Sequence, residues 1–124
     1  MSNPELIKNM TAGGAISAYR IVRLSAADTV VQASAVTQAL IGAIMDVAPA
    51  NGERVDVVLS GVTLIEAGAA VALTDLLTTD SSGRAVAAAP AAGTNNRIIG
   101  IPLETATAAG DLIRVRLGPG SFQG

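Results

Sequence analysis

The chain has 124 residues, one domain's worth, with a formal net charge of −2 and eight scattered basic residues, which excludes the basic face a nucleic-acid-binding protein needs. It contains neither His nor Cys, so zinc sites, Ser-His-Asp triads, thiol nucleophiles and disulfides are excluded too. Half of the residues are hydrophobic but only 2% are aromatic, so Val, Ile, Leu and Ala must fill the core, and association with partners should add to a modest stability.

In chain order, residues 1–11 read as an N-terminal arm. Pro4 disfavours helix at Asn3, and Leu6, Ile7 and Met10 are the arm's sizeable apolar groups. The first residues carry no basic segment followed by an apolar one, and the longest apolar run, residues 39–45, is too short to span a bilayer. The expectation is a soluble protein made in a cytoplasm, with no membrane partner. Residues 12–124 are expected to form a single β domain.

Within it, residues 19–24 are rich in β-formers and read as a strand, 25–28 as a turn, and 29–33 as the return. Residues 35–40 could form one helical turn. A strand follows at 41–45, then a turn at Pro49-Ala50-Asn51-Gly52, because Asn-Gly supplies positive φ angles. Residues 54–59 alternate, with Val55, Val57 and Leu59 on the core side. Further on, 69–77 is assigned to strand, 78–83 to a turn closing a hairpin onto 84–86, and 87–96 to a loop. The last strands are 97–103 and 112–117, ended by Gly118-Pro119-Gly120. Many short strands joined by Gly-rich turns indicate an all-β fold, a small barrel or sandwich.

An internal duplication underlies this pattern. Ile41-Gly42, Gly52-Glu53, Val55, Val57 and Leu59 return as Ile99-Gly100, Gly110-Asp111, Ile113, Val115 and Leu117 at a constant offset of 58. Upstream, residues 12–16 match 67–71 and Ile21-Val22 matches Leu76-Leu77 at an offset of 55. Two half-units, about 12–61 and 65–118, should therefore share one core. The match of Gly14 to Val22 with the later stretch is what favours strand over helix at 69–77.

The remaining chemistry is carboxylate chemistry. Asp46, Glu53, Asp56, Glu66 and Glu104 could supply a glycosidase-like pair, but they sit beside Gly or Pro or on the polar side of strands, so solvated roles are expected and no enzyme is predicted. Asp80-Ser81-Ser82-Gly83 lacks the further acidic ligands of a calcium loop and reads as a turn. Gly13-Gly14 fits no phosphate-binding pattern, so no catalytic residue, cofactor or metal is assigned. Arg114 and Arg116 share the non-core face of their strand beside Leu112, either as ordinary exposed surface or as a docking face for an acidic partner.

The run Gly52-Glu53-x-Val55-x-Val57-x-Leu59-Ser60-Gly61-Val62, with Glu66 to Val71, Leu76-Leu77-Thr78-Thr79-Asp80-x-x-Gly83-Arg84-Ala85-Val86 and Ala109-Gly110-Asp111-Leu112-Ile113-x-Val115, resembles the capsid cement, or head decoration, proteins of tailed bacteriophages. Thr74-Asp75 departs from the Gly-Asp more common in that family. The resemblance implies a structural virion protein on the outer surface of an expanded head, stabilising contacts between major capsid subunits, often as a homotrimer. The candidate contact residues are Pro4, Leu6, Ile7, Met10, Arg114 and Arg116, with the arm lending its backbone to a partner's strand edge. The other expectation to weigh is a ligand- or carbohydrate-binding β module of a phage particle, which would need a concave pocket.

Overall fold

The computed structural model describes residues 3–123. Nine strands follow one another: β1 (Asn3–Ala12), β2 (Ile21–Ala26), β3 (Thr29–Gln32), β4 (Leu40–Ile44), β5 (Arg54–Glu66), β6 (Leu77–Thr79), β7 (Ala85–Ala87), β8 (Asn95–Pro102) and β9 (Leu112–Gln123). No helix occurs among the described residues, and the chain has the expected all-β class. The sheet order is β1-β3-β2-β4-β5-β9-β8-β6-β7, and β1 also pairs with β5, so the first five strands close into a barrel. The C-terminal half of β5, with β9, β8, β6 and β7, takes the same order in a second ring, where Ala67 bridges in parallel to Ala85.

The two rings share their register. Adding 55 to positions in β1 and 58 to positions in β5 turns Met10↔Val55 into Ile65↔Ile113, and Lys8↔Val57 into Thr63↔Val115. The same offsets turn Val22↔Gly42 into Leu77↔Gly100, and Ala43↔Val58 into Ile101↔Arg116. Val55 and Val57 are buried in the first barrel, and Ile113, Val115 and Leu117 in the second. Leu59 packs half-buried against the first core.

The duplicated turns use the same chemistry. Gly52 and Gly110 have φ of +88° and +97°, and each donates its N–H over 2.8 Å, to the Ala12 and Ala67 carbonyls respectively. The acid after each glycine reaches back, Glu53 to the Ala50 N–H at 2.6 Å and Asp111 to the Ala108 N–H at 3.4 Å. A Cβ at either glycine would meet open space, so the cost of replacing it is backbone strain alone. Gly52→Val and Gly110→Val are each expected to lose about 1–3 kcal/mol. Denaturant midpoints equal to that of the parent would remove the turn argument.

Several elements depart from the sequence reading. Residues 3–12 are no arm: they form β1, which pairs antiparallel with β5 from Asn3↔Val62 to Thr11↔Arg54. This segment is the first strand of its unit, and its counterpart in the second unit is the C-terminal half of β5. Strands expected over 14–22 and 69–77 begin only at Ile21 and Leu77, because the residues before them run as irregular connections that plug the barrels with Ile16 and Val71. Residues 35–40 form no helical turn. The Gln38 side-chain oxygen takes the Ser34 and Ala35 N–H groups, at 2.8 and 3.1 Å, that a helix would have had to satisfy otherwise.

Gly118-Pro119-Gly120 does not end β9, which runs on beside β8 to Gln123. Pro119 is tolerated because the register shifts between Ile98 and Gly100, opposite the residue that lacks an N–H.

The core has two parts. Met10, Ala12, Ile16, Val22, Val30, Ile44, Val55 and Val57 fill the first barrel. The second cluster joins Ile65, Leu77, Ile99, Ile113 and Val115 to Ile21, Ala43 and Val58 of the first unit. The second core therefore spreads over one flank of the first barrel. An ionic knot ties this junction, with Arg20 Nη1 at 2.9 Å from Glu66 Oε1 and Arg84 Nη1 at 3.8 Å from Glu66 Oε2.

Candidate functional site

Alternation on β9 decides which side chains face outward. Ile113, Val115 and Leu117 turn into the core, which leaves Leu112, Arg114 and Arg116 outside. Their neighbours on β5 are half-buried: Arg114 lies opposite Leu64 and Arg116 opposite Val62. On the other side Arg116 lies opposite Ile101 of β8, and Leu103 donates its N–H to the Arg114 carbonyl at 2.8 Å. Ile101, Leu103 and Leu112 are 38–46% exposed. The result is an outward face of apolar side chains around two arginines.

The arginines are not equivalent. Glu104 Oε2 accepts from the Arg114 backbone N–H at 2.8 Å and from its Nε at 3.0 Å. The backbone hydrogen bond, then the guanidinium, hold the Glu104 carboxyl below its ordinary value of 4.5. Arg114 is thus neutralised in place, whereas Arg116 has no carboxylate partner among the described residues. Because the folded-state value is depressed, the interaction is intact above pH 4.5 and is lost as the pH falls through the lowered value. A carboxyl titration followed by NMR should place the Glu104 midpoint below 4.5, and Arg114→Ala, which removes the guanidinium but keeps the backbone N–H, should raise it only part of the way back. A parent midpoint at 4.5 or above would contradict the pairing.

The N-terminal candidates approach this face from the far edge of β5. Asn3 and Arg116 both lie opposite Val62, and Pro4 and Leu117 both lie opposite Gly61, so β1 and β9 flank one segment of β5. The separation of β1 from β9 there is two strand spacings, about 10 Å. Leu6 is 54% and Ile7 41% exposed on β1. Met10 is different: it is buried in the first core and so is withdrawn from any contact surface. Sequence reasoning missed Leu76, Ile101 and Leu103. The signal was present in 99–103, where Ile99 turns inward and Ile101 and Leu103 outward with a period of two.

The carboxylates are dispersed among structural roles. Asp56 Oδ1 accepts from Asn9 at 3.0 Å, Glu66 pairs with two arginines, and Glu53 and Glu104 are engaged as described. The loop 80–83 is closed by its own Asp80, whose Oδ1 accepts the Ser82 and Arg84 N–H groups at 2.8 and 2.9 Å. Among the described residues no three His, Cys, Asp or Glu side chains gather as a metal set. A groove of about 620 Å³ passes Met45, Pro49, Glu53 and Arg54, with no aromatic wall on which a sugar could stack.

The family model for phage cement proteins matches residues 46–117, more than half of the chain, from just after β4 through the core-facing part of β9. The chain belongs to the phage cement protein family. Cement-family membership makes it a structural, capsid-associated protein of a phage virion. The crystal structure of the N base of head fiber gp8.5 in bacteriophage phi29 shares the fold, with a TM-score of 0.68 at 21% identity over 91% of this chain and 93% of that one. No curated protein matches the sequence.

Proposed function

We propose that this cement protein binds the outer surface of an expanded phage head and bridges neighbouring major capsid subunits, through the outward face of the second barrel. The observation that carries the reading is that face itself: Leu112, Ile101 and Leu103 stand exposed around Arg116, which has no carboxylate partner among the described residues, on a chain of the cement family. Scattered apolar residues on a surface need no explanation, but a group of them on adjacent strands does. Leu6 and Ile7 extend the proposed contact along β1. Each protein need hold the shell only weakly, because many copies act on one particle. A homotrimer is the oligomer we propose, made of three copies that present this face together.

The test is to mix purified protein with expanded heads that lack it, pellet the heads and measure occupancy. The parent should saturate the heads, and Leu112→Asp should weaken binding about tenfold, which is the loss of one good apolar contact. Sedimentation of the free protein should give three times the monomer mass. A parent protein that stays in the supernatant would sink the head-binding reading.

A further inference from the structure

The two barrels show what covers the flank of a unit of this kind. Ile21, Ala43 and Val58 of the first unit are fully buried, yet they belong to the second core. The second core covers most of this flank, and the piece that meets its Ile21 end is the turn at residues 80–83 of the second unit. Ile21 donates its N–H to the Gly83 carbonyl at 2.8 Å, and Arg20 Nε donates to the Ser82 carbonyl at 3.0 Å. The fit is close: a Cβ at Gly83 would lie 2.8 Å from Gln32 Cγ and 3.2 Å from the Ile21 oxygen.

The offsets of 55 and 58 carry Ile21, Ala43 and Val58 onto Leu76, Ile101 and Arg116. There the cover is missing. Leu76 and Ile101 are each 38% exposed, and a groove of about 290 Å³ runs past them between Ile98 and Leu117. The backbone repeats its preparation: Ala33 donates to the Ile21 carbonyl at 2.9 Å, and Ala88 to the Leu76 carbonyl at 2.7 Å. The Leu76 N–H, the counterpart of the one that holds Gly83, has no backbone acceptor among the described residues.

Resting on the head-binding reading above, we propose that this groove is a socket for a β-turn of the major capsid protein. The turn carries glycine at the point of closest approach and an acidic side chain beside it. Glycine follows from the packing at Gly83, and the acid from Arg116, the charged residue lining the groove. Asp75 replaces Arg20 at the rim and is already occupied with the Ala72 N–H at 2.8 Å. A second copy of this chain cannot enter as residues 80–83 do. The equivalent turn of its first unit has Asp28 in place of Gly83, held by Arg54 at 3.1 Å and Lys8 at 3.8 Å.

The chain's lack of cysteine supplies a clean probe. Ile101→Cys, carrying a short photo-crosslinker, is bound to expanded heads and irradiated, and the adduct is mapped by mass spectrometry. The expected adduct is a major capsid peptide with glycine next to Asp or Glu. Leu76→Asp, with parent circular dichroism, should lose at least about tenfold in occupancy. An adduct to a second copy of this chain, or to a capsid segment lacking glycine, overturns the socket. So does parent-like binding by Leu76→Asp while Leu112→Asp is impaired, a result that leaves head binding itself standing. Failure of the parent to bind heads removes both.

Discussion

Gly42→Val and Gly100→Val are each expected to lose about 3 kcal/mol or more, at or beyond the upper end of ordinary overpacking. These glycines are repeat partners on β4 and β8, and neither is a turn residue. A Cβ on Gly42 would fall on the Val58 carbonyl oxygen, and one on Gly100 on the Arg116 carbonyl oxygen. The obstacle in both cases is strand backbone, which cannot swing aside as a side chain tip can. Val58 is fixed on its other edge by Ile7, and Arg116 by Val62. Even alanine should be costly, since the offending atom is the first one added. Urea unfolding of both variants would measure this, and midpoints within experimental error of the parent would show that the close approach is not a constraint.

Ile65→Ala should cost about 2–5 kcal/mol, the usual range for removing a buried aliphatic side chain. Ile65 is fully buried on β5, in the cluster that joins second-unit residues to Ile21 and Val58 of the first. The loss should lower the stability of both barrels together. Met10→Ala, at the equivalent position of the first core, should shift the same transition. Calorimetry of either variant should show a single peak, whereas two separated peaks would mean that the barrels melt independently. Exposed Leu112→Ala provides the contrast, with an expected change within about 0.5 kcal/mol.

Much of the fold was legible where local chemistry is strong. The period of two through Val55, Val57 and Leu59 and through Ile113, Val115 and Leu117 marked two inward-facing strands, and Gly52 and Gly110 marked their turns. The offsets of 58 and 55 reappear in the registers of the strand pairs. What stayed hidden was the first strand. Met10 is equivalent to Ile65 and Lys8 to Thr63, but the later segment fell at the boundary assumed between half-units and passed for the end of one strand. Without its partner the N-terminal segment had no reason to look like part of a barrel. Arg114 and Arg116 were placed on the correct side by alternation alone. Leu76 was not, because Leu76 and Leu77 are adjacent and apolar and only the closure of the second ring turns one outward and the other in.

β5 carries both barrels on one strand of 13 residues, irregular at Gly61, where φ is +92°, and this has a mechanical consequence. Among the described residues no separate linker joins the two units. Tension between the two ends of the molecule runs along β5 and meets the β1–β5 and β5–β9 ladders lengthwise. Their hydrogen bonds are then loaded in shear and must yield many at once, unlike the successive opening of a strand peeled from its end. Thirteen residues span at most roughly 43 Å at the usual rise of a regular strand, and the irregularity at Gly61 shortens this. The two ends of β5 are therefore joined by a single strand that both barrels grip, so separating them means breaking a ladder and not straightening a loop.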